Sequence, residues 1–154
     1  VCVLTSWPGL WPRPGLDAMG AMDCLPHILA LALHSQGGFN AVVPGAGIFC
    51  RHGAGDAWIA GAGAYANSER AVQRRVSQYA FAGVQPWAIG PVRVGGVVGL
   101  VNGYSYNSGR TLPMAAAVLS YPLPRPFAEA HLTVIPPVRG VTPAVAQFSF
   151  TLRF

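Results

Sequence analysis

The last eleven residues, Ala144 to Phe154, constrain the chain more than any other stretch. Ala144, Ala146, Phe148, Phe150, Leu152 and Phe154 are apolar, and Gln147, Ser149, Thr151 and Arg153 between them are polar. In an extended strand successive side chains leave opposite faces, so this alternation describes one β-strand with an oily face and a hydrophilic face. A helix would scatter the same residues around its axis.

Similar alternation can be counted upstream, bounded by Gly, Pro and Asn. The expected strands are 28–34, 42–51, 57–66, 76–85, 92–104, 112–121, 127–135 and the terminal one. On the second, Val42, Pro44, Ala46, Ile48 and Cys50 oppose Gly45, Gly47, Phe49 and Arg51. On the third, Trp58, Ala60, Ala62 and Ala64 oppose Ile59, Gly61, Gly63 and Tyr65. The Ala-rich sixth is not two-faced enough to assign a register. A turn is expected at Pro86, Trp87 and Gly90, after the fourth strand. Residues 1–24, rich in Trp, Pro and Gly, are expected to be irregular, because Pro8, Pro12 and Pro14 forbid a regular helix there. The run Ile28–Leu33 with the following Ala-Leu-His-Ser is faintly like the apolar core and cleavage site of a signal peptide, but a positive segment before it is missing.

Composition decides what such strands can build. The chain has 154 residues, the length of one domain, with 10% charged and 52% apolar residues. Average soluble domains carry about 25% charged residues, so the deficit points to a solvent other than water alone. No run of about 18 apolar residues is uninterrupted, which argues against a membrane-crossing helix. The other structure that satisfies its backbone in lipid is a closed β-barrel. The fold expected is therefore all-β: an eight-stranded antiparallel up-and-down barrel of membrane type over residues 25–154, oily outside. Its lumen would carry Arg51, Ser77, Tyr79, Arg93, Glu129, His131, Gln147, Ser149, Thr151 and Arg153. A soluble barrel holding a hydrophobic ligand would reverse that pattern.

The net charge of +5 comes without a basic stripe or stacking motifs, so nucleic acid is not an expected partner. Arg70, Arg74 and Arg75 form the densest basic cluster, in a loop suited to lipopolysaccharide or anionic lipid, or simply to solvent. Cys2, Cys24 and Cys50 lack metal-ligand spacing. One pair can join in an oxidising compartment, and nothing in the sequence selects which. No metal or cofactor is expected.

Glu129 and His131, two apart on a strand, point to the same side. A carboxylate beside an imidazole, with Ser77, Ser149 or Ser35 as a third member, is the raw material of nucleophilic catalysis. The reading favoured by burial is an internal network, with Glu129 paired to Arg93 or Arg153. His34, Ser35 and Asn40 suit a rim contacting a head group, or a plain turn. Tyr79, Arg93, Arg153, Asn67 and Ser68 are the candidate binding residues. Trp58, Trp87, Tyr104, Tyr106 and Tyr121 are candidates for aromatic girdles.

The aromatic carboxyl-terminal strand resembles the closing strand of bacterial outer-membrane barrels. Pro44-Gly45-Ala46-Gly47, Gly61 through Ser68, Ser77-Gln78-Tyr79-Ala80, Val101 through Tyr104 and Thr142-Pro143-Ala144 together resemble uncharacterised small proteins of bacteria and their phages, over roughly 39–154. A looser likeness, carried by Asn102-Gly103-Tyr104, Leu112-Pro113, Ile135-Pro136 and the aromatic end, is to the lipid A palmitoyltransferase barrel. That family's His, Asp and Ser have no counterparts here. These resemblances imply a monomer of the bacterial outer membrane that contacts membrane lipid or lipopolysaccharide. Its role would be structural or lipid-binding, with a lipid A acyltransferase or deacylase as the alternative.

Overall fold

The computed structural model describes residues 22–52, 57–69, 76–104, 108–138 and 143–153. Within them lie eight strands: β1 Asp23–His34, β2 Val42–His52, β3 Trp58–Ala66, β4 Val76–Ile89, β5 Val92–Val101, β6 Leu112–Pro122, β7 Phe127–Ile135 and β8 Val145–Leu152. Each pairs antiparallel with the next, and β1 pairs with β8, so the sheet closes into a barrel in chain order. The expected fold is the observed one. Residues 1–21, the Arg70, Arg74 and Arg75 cluster and Tyr106 fall outside the described residues.

β1 starts and β8 ends at one rim, termed proximal, which is also reached by the connections 53–57, 90–91 and 123–126. The distal rim carries the longer connections 35–41, 67–75, 102–111 and 136–144. Gly90, at φ 58°, supplies the left-handed residue that the tight β4–β5 turn needs.

Side chains alternate as the pleat demands. Ile48, Val98, Leu100, Val134 and Phe148 stand exposed on the outer wall. Ser77, Ser120, Glu129, His131, Ser149 and Thr151 are buried inside, together with Phe49, Ile59, Val97 and Val118. The lumen is thus mixed, where the sequence emphasised its polar side chains.

Four expectations are corrected. β1 begins at Asp23, which brings residues 23 and 24 into the barrel and places His27 in the lumen. β4 does not turn at Pro86: a register shift between Val84 and Trp87 absorbs the proline, and the strand runs to Ile89. β5 stops at Val101, where Asn102 turns its amide oxygen onto the Gln78 N–H at 2.9 Å. Arg153 is not a lumen residue; it lies past the end of β8, exposed, and donates to Asp23 at 3.2 Å.

The register also resolves the cysteines. Cys24 and Cys50 are directly opposite on β1 and β2 and form a disulfide. Replacing both with Ser is expected to cost about 3 kcal/mol by loosening constraint on the unfolded chain. Urea unfolding measures it, and an unchanged midpoint would contradict the bond.

Candidate functional site

The proximal half of the lumen is sealed by hydrogen-bonded polar groups. Arg51, at the end of β2, reaches across to Glu129 on β7, donating from Nη2 at 2.6 Å and from Nε at 3.2 Å. Its Nη1 donates to Gln85 Oε1 at 2.8 Å. Gln85 Nε2 in turn donates to Ser120 Oγ at 3.0 Å and to the Val118 carbonyl at 3.1 Å. Ser120 Oγ lies 2.9 Å from His131 Nδ1. The Arg51 guanidinium also sits 5.2 Å from the Phe49 ring centre, and Phe49 stacks on His131 at 4.4 Å. Glu129 therefore pairs with Arg51, and Arg153 pairs with Asp23 instead. The β4 register shift carries Gln85 into this plug, where it is almost fully buried.

Above the plug the lumen opens into a cavity of about 890 Å³. His27, Phe49 and His131 line its lower part, with Tyr79 and Phe81 along one wall and Met114, Val118 and Ile135 along another. At the distal end His34 stacks on Phe39, with ring centres 4.1 Å apart, and Tyr65 and Tyr104 share a hydrogen bond of 2.6 Å. Burial pushes the Tyr104 phenol up from its ordinary value, so it stays uncharged at neutral pH.

The wall beside this cavity is incomplete. β6 pairs with β7 only from Ala117–Val134 to Pro122–Glu129, although β5 follows β6 to Leu112. Carried on in the same register, Ala115 would meet Pro136, Met114 would meet Pro137 and Pro113 would meet Val138. Proline has no N–H to give a ladder, so β7 ends and 112–116 of β6 keep a single strand neighbour among the described residues. Leu112, Pro113, Pro136 and Val138 all border the cavity there.

The candidate residues divide accordingly. His131, His34, Tyr79 and Ser149 line the cavity. Glu129 belongs to the plug. Asn67, Ser68 and Ser77 are buried at the distal rim, where Asn67 donates to Ser77 Oγ at 3.0 Å and to the Gly103 carbonyl at 2.6 Å while accepting the Glu69 N–H at 2.8 Å. That set ties the loops together and is absent from the cavity lining. Ser35 accepts the Ala144 N–H at 3.0 Å, joining two connections at the same rim. Arg93, opposite Ser120, is half-buried on the inner face near the proximal rim.

Sequence reasoning missed His27, whose Nδ1 lies 3.0 Å from the Tyr79 hydroxyl, and Ser120, the serine that does bond His131. Alternation offered no signal for either, since one lay before the expected strand and the other on the Ala-rich one. Ser120 is buried and shared with Gln85, and His131 Nε2 stands 3.8 Å from Glu129 Oε2, beyond a hydrogen bond. The arrangement locks side chains; it does not present an activated nucleophile to the cavity. Among the described residues no cluster of metal-ligating side chains occurs. No family model matches the chain, and no curated protein matches it either.

The plug generates a stability prediction. Arg51→Ala strands a buried carboxylate and is expected to destabilise the barrel by about 3–5 kcal/mol, whereas Arg51→Met with Glu129→Leu recovers most of the loss. Urea unfolding of the two variants checks this; equal losses would remove the ion pair as the reason.

Proposed function

We propose that this protein is a small β-barrel of the bacterial outer membrane whose lumen holds one apolar ligand. The observation that carries the reading is the cavity of about 890 Å³ above a polar plug, open beside β6 towards Val98 and Leu100, within a barrel that is oily outside. That volume lies in the range of sites for single small ligands.

Four further features support the membrane address. The outer wall exposes Ile, Val, Leu and Phe, which in water would be an aggregation hazard. The strands run from 8 to 14 residues, and a tilted strand of about 9–11 crosses a bilayer. Trp58, Trp87, Tyr121 and Phe127 stand exposed near the proximal rim, as an interfacial girdle would. Short connections at the rim where β1 starts and β8 ends, with long ones opposite, match the periplasmic and outer sides of such barrels. The proline-bordered gap beside β6 gives an apolar ligand a way in from the bilayer.

The plug blocks the lumen, which favours ligand holding over conduction. A catalytic reading has less support, because Ser120 is sealed away from the cavity and His131 is bonded to it.

The reading expects extraction by detergent only, with faster gel migration before heating than after. Recovery of folded protein without detergent would sink it. Val98→Arg, near the middle of β5 on the outer wall, is expected to cost about 2–4 kcal/mol when folding into vesicles is titrated with urea.

A further inference from the structure

The two sides of the cavity differ in a way that narrows its ligand. On one side β2 and β3 are paved with glycine at the inner positions 45, 47, 61 and 63. A Cβ added at Gly63 would stand 2.6 Å from the Tyr79 hydroxyl, one at Gly47 2.7 Å from it, and one at Gly61 2.5 Å from Phe81 Cζ. Tyr79, rooted on β4, therefore lies across β3 and β2, and its hydroxyl reaches His27 on β1 at 3.0 Å. Phe81 lies over β3 in the same manner. Their planes differ by 9° with centres 6.1 Å apart, so two nearly parallel rings stand side by side along this wall. Side chains at Gly47, Gly61 and Gly63 would collide with these rings as well as with the neighbouring backbone, so the glycines leave the two aromatics room along the wall. Met114, Val118 and Ile135 give the other side an aliphatic surface, with His131 and Thr133 beside Ile135 on β7.

We propose that this lumen selects a planar, uncharged ring system, held between the Tyr79–Phe81 surface and the aliphatic side, in preference to a saturated chain. A flat π-system gains offset stacking on those rings beyond the area it buries, and a saturated chain gains area alone. The inference rests on the proposed ligand-holding lumen and names the chemistry of its occupant.

The test uses the full chain held in amphipol, titrated with N-phenylnaphthylamine and, separately, with palmitic acid. The unchanged chain is expected to bind the arene more tightly. Phe81→Leu and Tyr79→Leu are each expected to weaken arene binding about five-fold, the range one aromatic pair supplies, with palmitic acid affinity moving less than about two-fold. Tyr79→Phe keeps the ring and is expected to keep arene affinity. Gel migration before and after heating confirms that each variant is folded, and Phe81→Met replaces Phe81→Leu if the latter is not.

Equal losses for both ligands, or arene binding indifferent to the Leu variants, would overturn the proposal and leave the ligand-holding lumen standing. So would a five-fold loss in Tyr79→Phe, which would assign recognition to the hydroxyl. If the unchanged chain binds neither probe, the lumen reading falls and this one with it.

Discussion

Closure of β1 onto β8 is the constraint from which the rest of the molecule follows. A sheet with one oily face has to pair every edge N–H and C=O or leave them to water, and a ring of eight strands pairs them by having no edge. Once the ring is closed, its radius is nearly fixed by strand number, and the interior is just wide enough for side chains or one small ligand. Both solutions occur here in series. The proximal half is filled by Arg51, Glu129, Gln85, Ser120 and His131, and the distal half is left open.

The division between plug and cavity traces to the residue sizes each strand can place inside. Glycines on β2 and β3 remove volume where the aromatic rings of β4 need it, and those rings then define the cavity wall. Lower down, Arg51 and Glu129 lie on strands far apart in sequence but close across a narrow lumen. Charges in such a space are tolerable only when paired, and the Arg51 fork satisfies Glu129 and Gln85 together.

Much of this was legible in the sequence, and what was not shares a cause. β7 occupies 127–135 as the alternation indicates, because each inward residue there differs sharply from its neighbours. Strands whose faces resemble each other hide their phase: Ala115, Ala116 and Ala117 on β6 concealed Ser120, and apolar residues on both sides of β1 concealed its start and His27. Cross-strand partners were beyond reach for another reason. Whether Cys50 meets Cys24, or Glu129 meets Arg51, depends on register between strands, and periodicity within one strand carries no information about its neighbour's offset. Arg153 illustrates the remaining kind of miss, since alternation continues on paper past the point where the ladder ends.

The gap between β6 and β7 has the same physical origin as the closure of the ladder. A wall made of backbone hydrogen bonds opens readily where donors are absent, and prolines at 113 and 136 remove two of them along the same boundary between β6 and β7. Elsewhere a lost ladder bond would strand an N–H against an oily surface, at a cost of several kcal/mol in lipid. With proline tertiary amides lining the gap, fewer groups are left needing partners, and the aliphatic side chains of Leu112, Val138 and Ile135 border it. Continuity of the ladder and access to the lumen are thus set by the same few residues. The gap lies beside the aliphatic half of the cavity, and the aromatic surface waits across the lumen.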